Sequence, residues 1–409
     1  MNKNIFTLPS GFDRDLKLLL FSMASRRVVM GFLLVVRAIY FYLLGFNEIE
    51  VGLLLSIATF VSAIHHITFG MLSDRFGRKP FLLLGGVFAT LRLVIFALSK
   101  DFWMLALGQG IGAMGEGAGA GQPVVSGYIA SKIDTKNRVS IFSTMAITNA
   151  IAATIGSAVA GLPQLYQNIF NTDLVSAHIP LYIIGAVFML LSLLIILPIE
   201  EVAPKRKEDE GDQRKSLRFK DPGVILKFSL VRATSGLGWG LIESLLTLYF
   251  FIRFAVGSDV LGPIYAVARL VTIFTYLLIP LIVSRVGEIG AIVWSRFITA
   301  AVTAAFALAD HYPLAVALLI IFRIALTFTM PIRESFALSI VDPEEISTAI
   351  GISNFARMGV RSIAPTLAGY MFEAVSLSMP FLSGAALLAV NGALFHAYFR
   401  PQKNQRTPK

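Results

Sequence analysis

The stretch that decides the fold is Gly70-Met71-Leu72-Ser73-Asp74-Arg75-Phe76-Gly77-Arg78-Lys79. One aspartate stands among three cations, with a glycine between them, and the chain on either side is apolar from Ile49 to Leu72 and from Pro80 to Ser99. A helix that crosses a bilayer needs about 20 mostly apolar residues, and glycine permits a tight turn between two of them. The charges therefore read as a watery turn joining two membrane helices.

Working outward, the same pattern fills the chain. Of 409 residues, 56% are hydrophobic and 15% charged, with a mean hydropathy of +0.74; soluble domains carry about 25% charged residues. A string of soluble domains is excluded. Apolar spans are predicted at Lys17–Leu44, Ile49–Leu72, Pro80–Ser99, Phe102–Ala130, Val139–Leu162, Ile179–Leu197, Gly223–Phe251, Asp259–Ser284, Ile289–Ala309, Pro313–Ile340, Ile346–Tyr370 and Leu377–Phe399. The expected fold is an all-α integral membrane protein of twelve transmembrane helices. Cysteine is absent, which removes disulfides, thiolate chemistry and Cys-ligated metals. The polar start, MNKNIFTLPSGFDRDLK, has no apolar core, so no cleaved signal peptide is expected.

Residues 200–222 are almost wholly polar and divide the spans into six and six: an amino-terminal bundle at 1–199, a solvated linker at 200–222 and a carboxy-terminal bundle at 223–409. Basic residues fill the loops on the amino-terminal side, whereas the opposite side has only Lys100 and Arg253. That asymmetry predicts a cytoplasmic-membrane protein with both termini in the cytoplasm. The formal charge of +10 lies mostly within the spans and not in the loops, and points to a negative translocated species or coupling partner and not to nucleic acid.

The halves repeat. Asp134 and Asp342, Pro123 and Pro331, and Gly161 and Gly369 all differ by 208 positions. A duplicated six-helix unit follows, and transporters built from repeats hold their ligand near the bilayer midplane between them.

The quoted loop resembles the signature G-x-L-x-D-R-x-G-R-K of the major facilitator superfamily. Twelve spans, a polar central linker and duplicated halves agree with it, so the resemblance covers nearly the whole chain. It implies two pseudo-symmetric six-helix bundles that work by alternating access. It also implies a conformational latch at Gly70, Asp74, Arg75, Gly77 and Arg78, the aspartate pairing with charges of the other half when the protein is open outward. Plain anchoring of the loop by its cations is the alternative. Ser284-Arg285-Val286-Gly287-Glu288 resembles a decayed second copy without the aspartate. Gly156 to Gly161 resembles the span-five motif of proton-coupled drug exporters, but lacks its proline and one glycine. That departure weakens a drug–proton antiporter reading.

Charges inside spans are functional candidates because lipid tolerates them poorly. The cations are Arg26, Arg27, Arg37, Arg92, Lys227, Arg232, Arg269, Arg296, Arg323, Arg333, Arg357 and Arg361; the anions are Glu116, Glu243 and Glu334. Arg37, Arg269 and Arg357 are the leading candidates for an anionic ligand, since guanidinium binds carboxylate or phosphate through two bonds. Glu116 lies in the glycine-crowded fourth span, at the depth of Arg323 by the repeat offset. It is expected to act as a charge-pair partner, a proton carrier or a substrate contact. Glu243 and Arg323 complete the set of substrate-binding or coupling candidates. Arg92 and Arg296, in spans the resemblance places at the periphery, are assigned to structure or to lipid headgroups. His65 and His66 point about 100° apart on one helix and cannot face one site together.

The leading function is a secondary active transporter moving a small solute, expected to be anionic, with protons as a coupling ion. A multidrug or lipid-like efflux transporter is the first alternative and a non-transporting membrane sensor or scaffold the second. No G-x-x-x-x-G-K-[ST], H-E-x-x-H or G-x-S-x-G motif occurs, so an enzyme is not expected, nor a cofactor or metal. Membrane lipid is the expected surrounding and a monomer the expected state.

Overall fold

A computed structural model describes residues 12–113, 121–132, 138–201, 222–275, 279–330, 332–333, 336 and 346–399. Among these, regular structure is entirely helical. The helices are α1 (Arg14–Leu43), α2 (Glu48–Phe76), α3 (Lys79–Leu98), α4 (Phe102–Gly112), α5 (Gly121–Lys132), α6 (Arg138–Ala158), α7 (Leu162–Phe170), α8 (Leu174–Ile196), α9 (Pro222–Glu243), α10 (Leu246–Phe254), α11 (Ser258–Thr275), α12 (Ile279–Ala307), α13 (Tyr312–Phe328), α14 (Ile346–Ala374) and α15 (Met379–Phe399).

Local chemistry sets their limits. Asp13, Asp101 and Asp173 cap α1, α4 and α8 by accepting from the backbone N–H groups of Leu16 (2.8 Å), Met104 (2.9 Å) and Ser176 (2.9 Å). Gly77, with φ +96°, makes the turn between α2 and α3. Gly287 lies within α12 at φ 73° and ψ 168°, so α12 is two helices meeting at a kink. That kink falls where the sequence predicts the link between spans eight and nine.

Eight helical segments of the described residues are long and apolar enough to cross a bilayer. The four expected spans outside that set are the fourth, eighth, tenth and eleventh. The fourth, eighth and tenth run into residues outside the described set. The eleventh, α14, is 29 residues long but carries Asn354, Arg357 and Arg361, which lowers its hydropathy. A polar helix of that kind belongs against protein, not lipid.

The chain forms two compact units. The first takes Met1–Asn47, Leu54–Glu210 and Phe250–Val267. In it α1 packs on α6 and α8, and α3 on α4 and α8. Gly31 and Gly156 allow the close approach of α1 and α6: a Cβ on either would collide with backbone of the other helix. The second unit takes Glu48–Leu53, Gly211–Tyr249 and Ala268–Lys409. There α9 packs on α14 and α15, and α12 on α13 and α15. Each unit thus repeats the other's scheme, first helix on fifth and sixth, third on fourth and sixth. Apolar side chains such as Trp103, Leu107, Ile183, Trp294 and Ile363 stand exposed, as helix faces turned to lipid require.

Candidate functional site

The loop after α2 is a small polar assembly. Asp74, whose side chain is 67% exposed, pairs with Arg78 at 3.1 Å within the loop. The Arg78 guanidinium reaches on to the carbonyl of Gly127 in α5, and Arg75 lies 5.3 Å from the Phe76 ring. Glu201, beyond α8, accepts from the backbone N–H groups of Arg78 (2.8 Å) and Lys79 (3.0 Å). These N–H groups open α3 and have no partner within the helix, so Glu201 caps it from a distant part of the chain. The Glu201 carboxylate also occupies the space that a Cβ at position 77 would need. Beside the loop, buried Asp15 is held by Lys132, by the Tyr128 hydroxyl (3.2 Å) and by the backbone N–H of Glu200 (3.2 Å).

In the first unit Arg26 and Arg37 bond to neutral acceptors. Arg26 is buried, donating through Nε to Ser192 Oγ (2.7 Å) and through Nη2 to the Leu82 carbonyl (3.1 Å). Arg37 donates to Gln109 Oε1 at 3.3 Å, and Gln109 is fully buried. Arg92 is 0% exposed, with Met30 Sδ 3.7 Å from its Nη2.

The second unit is arranged otherwise. Arg323 of α13 and Glu243 of α9 form an ion pair at 2.9 Å, both side chains mostly buried. Arg232 donates to Asn354 Oδ1 and lies 4.9 Å from the Phe228 ring. Arg296 is 2% exposed and donates to Ser235 Oγ at 2.9 Å. Asn391 joins α15 to α9 through the Val231 carbonyl (2.6 Å) and Thr234 Oγ1 (3.0 Å). Arg361 lies 5.8 Å from the Trp239 ring.

The family model described as Major Facilitator Superfamily matches residues 18–365. The chain belongs to the Major Facilitator Superfamily. It is therefore a transporter-family membrane protein and not an enzyme. It is 23% identical to the quinolone resistance protein NorA of Staphylococcus aureus over 424 residues, covering 99% of this chain and 100% of that protein. It is 24% identical to multidrug resistance protein 1 of Bacillus subtilis over 333 residues, covering 80% and 82%. Its fold matches the crystal structure of the nucleoside transporter NupG with a TM-score of 0.74 at 16% identity, covering 96% of this chain and 100% of that one.

In this Major Facilitator Superfamily chain Asp74, Gly77 and Arg78, expected to form a latch, lie in one polar assembly that also holds Glu201, a residue the sequence reading missed. Glu243 and Arg323 are brought into one pair. Arg323 thus has a carboxylate partner in its own unit, whereas sequence reasoning had set it opposite Glu116. Glu116 and Glu334 lie outside the described residues. Arg37 and Arg357 are half-buried on α1 and α14, and Arg269 is half-buried on α11. Arg92 and Arg296 are buried inside their units. His65 stacks on Phe69 at 4.8 Å. Ser192, Ser235, Asn354 and Asn391 were also missed; a hydroxyl or amide within an apolar run was the available signal.

Proposed function

We propose that this chain is a secondary active transporter of a small anionic solute, working by alternating access as a monomer in the cytoplasmic membrane, with both termini cytoplasmic. Its moving parts are the halves at 1–199 and 223–409, joined by the linker at 200–222. The observation that carries the reading is the retention of arginine inside both units. Arg26, Arg92, Arg232 and Arg296 are all buried, while the Glu243 carboxylate is already engaged by Arg323. An interior rich in guanidinium favours a negative solute, with Arg37, Arg269 and Arg357 as its contacts. Asp74, Arg75 and Arg78 act as the latch, and protonation of Glu116 couples the cycle to a proton gradient.

The test is flux into vesicles that contain the purified chain, with organic carboxylates and phosphate esters, with and without a pH gradient. Anion flux should fall about tenfold or more in Arg357→Ala through loss of one charged hydrogen-bonding contact; flux indifferent to that change overturns the anion reading. A second reading, efflux of drug-like or lipid-like solutes, is favoured by the full-length similarity to a protein named for quinolone resistance. Extrusion of a fluoroquinolone by cells expressing the chain, abolished by Asp74→Asn, would favour it. Absence of flux for every solute, with a partner protein co-purifying, would favour a sensor.

A further inference from the structure

The second unit encloses a cavity of about 100 Å³ among α9, α12, α14, α15 and the end of α13. Among the described residues, four that line it are arginines, Arg232, Arg296, Arg333 and Arg357, and none is a carboxylate. Its depth is consistent from three helices. Arg232 lies ten residues into α9, Arg357 eleven into α14, and Asn391 eight before the end of α15, so all sit roughly 12–16 Å from one face of the unit at 1.5 Å per residue. Glycines set two of the arginines close in: Gly236 faces the Arg357 backbone, and Gly392 faces Arg296 Cβ, 3.0 Å from where its own Cβ would stand.

Arginine keeps its charge in proteins and carries five N–H donors. Arg296 gives one bond, to Ser235 Oγ, and its Nε has no hydrogen-bond partner among the described residues. Ser235 accepts that bond and still has its own O–H to donate. An anion in this space is attracted by the guanidinium groups that line it. The space holds several water molecules and admits an oxyanion group.

We propose that this cavity is an oxyanion site that takes a phosphate or carboxylate group. Arg296 and Ser235 are its fixed donors, and Arg232, Arg333 and Arg357 supply the surrounding positive field. A membrane-lipid headgroup and a free phosphate share this chemistry. The site goes beyond the transport reading and stands without it, because it is tested by binding and not by flux.

The experiment is thermal unfolding of the full chain in detergent, titrated with inorganic phosphate at constant ionic strength set by chloride. A parallel arm uses the chain in vesicles of phosphatidylglycerol or of phosphatidylcholine. Phosphate should raise Tm saturably. Arg296→Gln should weaken the apparent affinity about tenfold or more and Ser235→Ala about threefold to tenfold, the range for a charged and a neutral hydrogen bond. Arg253→Gln, away from the cavity, should respond as the unaltered chain does. If Arg296→Gln fails to fold, Ser235→Ala carries the test. Stabilisation by phosphatidylglycerol alone, lost in the same variants, upholds the site and assigns it to a headgroup. An equal response in the unaltered chain and both cavity variants, or no response to either probe, overturns it. That holds even if the chain carries anions, and absence of flux leaves a positive binding result standing.

Discussion

The two units share a helix-pairing scheme and differ in how they treat buried arginine. In the first, Arg26, Arg37 and Arg92 are spread over separate helix pairs, and the first two rest on the neutral acceptors Ser192, the Leu82 carbonyl and Gln109. In the second, Arg323 takes a carboxylate, and four further arginines converge on one cavity. The two units therefore share a scaffold and differ in the placement of charge. A guanidinium bonded to a fixed hydroxyl ties helices together.

The largest expected effect tests whether the second unit depends on its ion pair. Glu243→Gln should destabilise the chain by about 3–5 kcal/mol, because Arg323 is left buried without its counter-charge. Glu243→Leu combined with Arg323→Met should recover most of that loss in thermal unfolding. A drop below about 1 kcal/mol for the single change, the level of an exposed pair, would break the contrast between the units. In the first unit, Ser192→Ala should cost about 1–3 kcal/mol by leaving the buried Arg26 short of an acceptor, with no change in the response to phosphate. Gln109→Leu should cost less, about 1 kcal/mol, since its bond to half-buried Arg37 is long. A phosphate response altered by either substitution would place the anion in the wrong unit.

The smallest effect is one of pH. Burial disfavours the charge on Lys132, but its bond to Asp15 and the nearby Asp13 outweigh that and hold its pKa above the ordinary lysine value. Folding thus favours the protonated amine. This stabilisation is whole below the ordinary value of about 10.4 and is lost as pH rises through the raised one. Melting curves of Asp15→Asn should lie below those of the unaltered chain from pH 6 to 9 and converge with them only above that value.

Much of the fold was legible because the bilayer demands long apolar runs and concentrates charge in turns. Gly77 and Gly287 stand at positive φ in the two places where the sequence placed equivalent links. The eleventh span was harder, because α14 is apolar only in part and its arginines face protein. At the site, Glu243, Arg323 and Arg357 could be named since an ionisable residue in an apolar run is conspicuous. Their partners could not. Ser235 or Asn354 in such a run looks like any tolerated hydroxyl or amide until a second helix supplies the guanidinium. The position of its helix leaves Arg296 to structure or to lipid headgroups; a helix at the rim of a bundle still has an inner face, and that face holds Arg296.

Glu201 is both the remote cap of α3 and the second residue of the long polar stretch between the halves. The signature turn is thereby tethered: a pull on that stretch reaches Arg78 and Lys79 through two hydrogen bonds, without passing through a span. Shortening, cleaving or modifying the chain just after Glu201 is then a mechanical act on the loop, felt first at the glycine whose missing side chain leaves the carboxylate its seat.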